Sequence, residues 1–151
     1  MERSIFLFLV PRSSFLRLGH RSRAVIDASA GGIHQFTVGQ RKGLGVATGS
    51  PLYVIEVRGD KRQVVVGSGE ELLSTKLRAR DVNLIALEDL HEPLRITCKI
   101  RHRHEAAPAT LEKTGFDEVL VTFDQPQRAI TPGQAAVFYD GDVVVGGGWI
   151  A

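Results

Sequence analysis

From Arg95 to Arg101 the chain reads Arg-Ile-Thr-Cys-Lys-Ile-Arg, with apolar and polar side chains taking strict turns. Side chains on an extended strand alternate between two faces. Ile96, Cys98 and Ile100 therefore share one face, and Arg95, Thr97, Lys99 and Arg101 share the other. A half-buried strand with one apolar and one basic side is the only regular structure that uses this pattern well. It needs partners, because a lone strand leaves its backbone unpaired.

The partners follow at intervals of about ten residues. Leu77 to Leu84 reads as a strand with imperfect alternation, and Ala109-Thr110-Leu111-Glu112 as another. Val119, Val121 and Phe123 share a face in the next. Ala135 to Tyr139 and Val143 to Val145 flank Asp140-Gly141, a two-residue hairpin signal. So many short strands with almost no helix suggest a small barrel or sandwich, and closure into a barrel removes exposed edges.

The first half is read in the same way. Gly31-Gly32 and His34 to Val38 suggest a turn and a short strand, and Gly39-Gln40-Arg41-Lys42-Gly43-Leu44-Gly45 a glycine-punctuated basic loop. Residues 51–67 form a hairpin around Arg58-Gly59-Asp60-Lys61, and Glu70 to Leu73 suit one turn of helix at a domain boundary. The organisation expected is a leader over 1–30, a small β domain over 31–73 and a β-barrel over 74–151. Within the leader, Ile5 to Val10 is an apolar run too short and too poorly followed for a clear secretory signal. Such a terminus reads as a poorly ordered tail or a mis-started reading frame.

Charge supports this division. Residues 1–30 carry five arginines against Glu2 and Asp27, a net of +3, which leaves −1 for the rest of a chain whose total is +2. The pI near 8.9 reflects the leader, so any case for nucleic-acid binding rests on local patches. Hydrophobic and charged contents of 43% and 24% are those of a globular protein, and no apolar run reaches the roughly 20 residues of a membrane span. The single cysteine, Cys98, excludes an internal disulfide and a Cys-rich zinc site. Its place among Ile96 and Ile100 makes it a small buried hydrophobe rather than a nucleophile.

Three places carry candidate chemistry. The loop at 39–45 lacks the spacing of a nucleotide-binding loop, but its glycines bring backbone N–H groups close to an anion, and Arg41 and Lys42 add charge. The face of Arg95, Lys99, Arg101 and Arg103 forms a basic stripe suited to a phosphate backbone, with His102 able to stack on a base. Each has a plainer reading, a solvated turn in one case and an outer barrel face in the other. Gln134, at the exit of Thr131-Pro132-Gly133, offers a donor and an acceptor, while Gly146-Gly147-Gly148 suits close backbone packing or a bulge. His102 and His104 with Glu105 could be read as metal ligands, but Arg101 and Arg103 oppose a cation there. No Ser-His-Asp set, catalytic carboxylate pair or ATP loop is present.

Four segments in order resemble the MnmA/TrmU family of tRNA-specific 2-thiouridylases. They are Phe36 to Gly45, Pro51 to Val54 with Val66 to Gly69, Ala129 to Tyr139, and Gly146 to Ile150. Residues 1–30 fall outside the resemblance. It implies a central β domain followed by a six-stranded antiparallel barrel, both holding tRNA in the cytoplasm. It also implies that an ATP-using PP-loop domain and a persulfide-relaying pair of cysteines, neither found in this sequence, thiolate the wobble uridine. Arg101 and His102 fall where the family has a tRNA-touching Arg-Tyr pair, so histidine is a departure. Gln134 falls on another tRNA contact, and Arg41 and Lys42 on the family's basic loop. No cofactor is expected in this chain, and none of its residues is expected to be catalytic. The alternatives are a protein-interaction barrel serving as one half of a split enzyme, and an autonomous enzyme resting on His102, His104 and Glu105.

Overall fold

The computed structural model describes residues 16–18, 23–28, 32–45 and 50–151. The chain divides into two compact units, Met1–Leu72 and Leu73–Ala151. Each is mainly β.

The first unit is built on a four-stranded sheet. Its strands are β1 (Leu16–Leu18), β2 (Ala24–Asp27), β3 (Tyr53–Arg58) and β4 (Gln63–Gly67), in the order β1-β2-β4-β3. The β3–β4 hairpin closes through Gly59 to Arg62, with Arg62 in the left-handed region at φ 51°. Ala24, Ile26, Val54, Val64 and Val66 are buried together with Leu44. Fully burying a valine is worth about 1.5–3 kcal/mol, so this cluster is what fixes the sheet.

Two expectations change here. Ala24 to Asp27 lies inside the segment read as a leader, yet it pairs with β4 from Ala24↔Val66 to Asp27↔Gln63. The alternation of Ala24 and Ile26 toward the core outweighs the arginines around them. The apolar run Ile5 to Val10 lies outside the described residues. The strand expected from His34 to Val38 is absent. Ile33–Gln35 forms a 3-10 turn, and the Gly39 amide then bonds the Val54 carbonyl at 2.8 Å. A second 3-10 turn, Gly69–Leu72, ends the unit where one helical turn was expected.

The second unit is a closed barrel of six antiparallel strands. They are β5 (Leu73–Leu84), β6 (Leu94–Lys99), β7 (Ala107–Lys113), β8 (Val119–Arg128), β9 (Ala135–Asp140) and β10 (Val143–Ile150), in ring order β10-β5-β8-β7-β6-β9. Period-two alternation sends Leu77, Ala79, Ile96, Cys98, Ala109, Leu111, Val119, Val121, Phe123, Ala136 and Phe138 inward. Phe138 and Leu111 are among the largest fully buried side chains.

Closure depends on glycine. A Cβ added to Gly146 would lie 2.4 Å from the Asn83 carbonyl oxygen, and one on Gly147 would lie 2.8 Å from that of Ala136. β10 bulges on both sides of this stretch, once against β9 and once against β5. Bulges of this kind bend a strand and let a small ring close. The β9–β10 turn itself is Gly141-Asp142, since Asp140 and Val143 are paired; Gly141 takes φ 57°. The hairpin signal is thus displaced by one residue. Among the described residues no helix is long and apolar enough to cross a membrane.

Candidate nucleic-acid interface

On the outer wall of the barrel β6 and β9 pair through Thr97↔Tyr139, Cys98↔Phe138 and Lys99↔Val137. Cys98 and Phe138 point into the core, so Lys99, Val137 and Tyr139 face out. β6 ends at Lys99, and Arg101 to His104 form a tight turn in which the His104 amide meets the Arg101 carbonyl at 3.2 Å. This breaks the expected stripe. His102 and Arg103 occupy the corner of the turn, and Arg103 leaves the strand face of Lys99.

Arg95 leaves the stripe for a different reason. Its guanidinium donates to both Asp124 carboxylate oxygens, at 2.8 and 2.7 Å, and to Thr110 Oγ1 at 3.1 Å. The pair holds the Asp124 carboxyl below the usual carboxylate range, chiefly through the Arg95 hydrogen bond, while raising the Arg95 pKa. An arginine held in this way offers little to phosphate.

Arg101 is half-buried, and its guanidinium donates to two carbonyls of the β8–β9 connection. One is that of Arg128, at 2.9 Å, and the other is that of Ala129. Ala129 has φ 52°, a conformation that costs a non-glycine residue about 1–2 kcal/mol. Charge-assisted hydrogen bonds from Arg101, with a further one from Thr131 Oγ1 at 3.0 Å, offset that cost. The chain then turns through Thr131-Pro132-Gly133-Gln134. Proline stands second, glycine third at φ 82°, and the Gln134 amide bonds the Thr131 carbonyl at 3.3 Å. These are the features of a type II turn. It delivers an exposed Gln134 to the start of β9.

The result is a hollow of about 570 Å³ lined by Lys99, Ile100, Arg101, His102, Gln134, Ala135, Val137 and Tyr139. A second hollow of about 530 Å³ shares Lys99, His102 and Tyr139 with it and adds Thr97, Arg103, His104, Glu105, Ala106 and Gly141. The structure thus brings Arg101, His102 and Gln134 together. Tyr139 joins them and was missed in the sequence, although it stands two residues after Val137 and directly beside inward-facing Phe138.

Arg41 and Lys42 belong to the first unit, where both are exposed. The side-chain amide of Gln40, between them and Gly39, is used within the loop. Its oxygen accepts from the Thr37 amide at 3.0 Å, and its nitrogen donates to the Lys42 carbonyl at 2.9 Å. Gly39 and Gly43 take positive φ values of 88° and 76° on either side. Gln40 therefore shapes the loop, and the two cations project from it.

Cys98 is buried, and burial pushes its thiol up to about 12. Among the described residues no group of three or more His, Cys, Asp or Glu side chains could hold a metal ion.

Comparison with known proteins fits this architecture. Residues 74–150 match the family described as Aminomethyltransferase beta-barrel domain, and residues 20–68 match the tRNA methyl transferase PRC-barrel domain. The second match begins inside the segment that had been placed outside any resemblance. The class so defined is a tandem of two small β domains. The tRNA-specific 2-thiouridylase MnmA of Koribacter versatilis (strain Ellin345) is 76% identical over 119 residues, covering 79% of this chain and 32% of the relative. The same enzyme of Solibacter usitatus (strain Ellin6076) is 57% identical over 122 residues, 79% of this chain and 33% of the relative. That of Clostridioides difficile (strain 630) is 48% identical over 119 residues, with coverage of 79% and 33%. The chain belongs to this MnmA-type 2-thiouridylase family and carries its C-terminal domains. It spans about a third of the length of the curated relatives it matches.

Proposed function

We propose that this chain binds tRNA and positions it for 2-thiolation of the wobble uridine. The two units use no cofactor of their own. ATP and sulfur are handled by a PP-loop catalytic domain and a sulfur-relay donor, in the cytoplasm. The observation that carries this reading is the convergence of Lys99, Arg101, His102 and Gln134 on one concave stretch of barrel wall. Cations there meet phosphates, Gln134 hydrogen-bonds, and His102 presents a flat face to a base. Arg101 has two parts in this: one guanidinium nitrogen holds the carbonyls behind Gln134, and its charge faces the hollow. Arg41 and Lys42 supply a second phosphate-binding loop on the first unit.

Filter binding of the full chain to glutamate tRNA at graded salt tests the proposal. Affinity falls as salt rises, because each neutralised phosphate releases counterions. Lys99→Ala reduces the slope of log K against log salt by about 0.7–0.9, the contribution of one phosphate contact. Gln134→Ala weakens binding and leaves the slope unchanged. Binding no stronger than to a scrambled RNA, with no loss on Arg101→Ala, would sink the proposal.

A second reading has its own observation. Ile85, Val144 and Trp149 are exposed around a hollow of about 330 Å³ floored by Gly146 to Gly148. An apolar wall of this kind suits a protein partner, which for a split enzyme is the PP-loop domain. Co-purification of that domain with the chain, lost on Trp149→Ser, would favour it.

A further inference from the structure

β5 is three strands from β6 whichever way the six-strand ring is followed. It therefore runs down the far wall of the barrel from the groove of Lys99, Arg101 and Gln134. Along β5 the core takes Leu77 and Ala79, while Lys76, Arg78 and Arg80 are turned out and exposed. Alternate residues on a strand lie about 6.6 Å apart, so the three cations form an evenly spaced row. The β8 partners of Lys76 and Arg78 are Thr122 and Leu120, which carry no charge. Among the described residues no ion pair involves any of the three. Arg95, by contrast, is clasped by Asp124.

The row leads to an aromatic side chain. Trp149 of β10 stands opposite Arg80 and is 53% exposed, while Ile150 beside it packs in the core with Ala79. From Trp149 the wall sinks into the hollow floored by Gly146 to Gly148, with Ile85 and Val144 around it. Tryptophan and arginine are the residue types that most often anchor protein interfaces. A nucleic acid suits this wall poorly. Its phosphates would satisfy the cations, but a base in the hollow would set polar edges against Ala135, Val137 and Val144 and bring its phosphate toward Asp81. The ring is closed and offers no strand edge to extend, so a partner is held here by side chains.

We infer that the β5 wall docks an acidic, extended segment of a partner protein. Carboxylates on alternate residues of that segment repeat at the spacing of Lys76, Arg78 and Arg80. An apolar side chain beyond them enters the hollow beside Trp149. The inference rests on the protein-partner reading of that hollow and gives the partner its chemistry. Because this wall and the groove of Gln134 lie on opposite sides of the barrel, the partner is held while RNA occupies the groove.

The test uses the full chain and a fluorescein-labelled synthetic peptide with glutamates at alternate positions, followed by leucine and phenylalanine. Fluorescence anisotropy at low salt reads its binding. The same peptide with glutamine for glutamate binds more weakly. Arg78→Glu and Arg80→Glu each weaken binding of the acidic peptide about tenfold. Trp149→Ser weakens it as well, and Ile85→Ser repeats that measurement at a more exposed position; circular dichroism melts check that each variant folds. Saturating tRNA leaves the peptide bound. No binding of the acidic peptide, or binding indifferent to Arg78→Glu and Arg80→Glu, overturns the inference. Displacement of the peptide by tRNA overturns it too, and makes the wall a nucleic-acid surface. Should a PP-loop domain co-purify with the chain and be released by Trp149→Ser but not by Arg78→Glu, the apolar contact stands and the acidic segment falls.

Discussion

Arg95 and Asp124 face each other across the outside of β7, joined by two nearly parallel hydrogen bonds of 2.8 and 2.7 Å. One residue is on β6, the other on β8, and Thr110 of the strand between them accepts from the same guanidinium at 3.1 Å. Three strands are clasped on their solvent side.

The clasp predicts a pH dependence. Arg95 lowers the Asp124 pKa from its ordinary 3.8 in the folded chain. A carboxyl depressed by folding stabilises the fold at pH above its unfolded value, and that stabilisation is lost as pH falls through the folded value. Asp124→Asn therefore lowers the urea midpoint at pH 7, and the gap to the parent chain closes as the pH drops below the carboxylate range. The effect is small, as both groups are open to water. Urea titrations at a series of pH values check it; a gap that widens in acid would contradict the assignment. Arg95→Ala leaves tRNA affinity within twofold, because this arginine is turned to the carboxylate.

Cys98 gives a second prediction. With its thiol pushed up to about 12 by burial, almost no thiolate exists at pH 8. Iodoacetamide should leave the folded chain unmodified over hours and label it within minutes in concentrated urea. Mass spectrometry reads the difference. Rapid labelling of the folded chain would mean that the barrel opens on that timescale.

A third concerns the glycine seam. Gly146→Ala places a methyl group 2.4 Å from the Asn83 carbonyl oxygen, with the Leu84 Cα at 3.0 Å beside it. Both obstacles are backbone, so relief requires β5 and β10 to separate. The expected cost is about 1–3 kcal/mol or more, read as a lower midpoint in urea. Gly141→Ala is a useful contrast: nothing lies within 4 Å of the added carbon, and only the positive φ of 57° is strained. A seam variant as stable as the parent would show that the strands stand further apart than described.

The local chemistry of the sequence made much of this fold legible. Val119, Val121 and Phe123 alternate and are all buried; Pro132 and Gly133 mark their turn; the glycines of β10 sit where backbone crowds backbone. What stayed hidden depends on partners far along the chain. Nothing near Arg95 announces Asp124, so a stripe of four arginine and lysine side chains looked uniform when one of them is clasped and another turned aside. Likewise Thr37 and Val38 have strand-forming residues, but Gln40 and Val54 claim the neighbouring hydrogen bonds. β2 was obscured by its arginine-rich surroundings, since four residues give too short an alternation to stand out. Within the groove, Arg101, His102 and Gln134 were readable through family resemblance. Tyr139 needed the pairing of β6 with β9 before its outward face had a context.

The ring is closed by the strands that open and end the second unit, with Ala79 of β5 set against Ile150 of β10. On a ribosome the earlier strands emerge and wait. Until the last one is released, β5 carries an unsatisfied edge that any extended polypeptide nearby could occupy. Sealing then requires bringing together segments separated by nearly the whole unit, a slow step by the entropy of so large a loop. The three consecutive glycines that permit the final fit also leave that last strand with few side chains to guide it home.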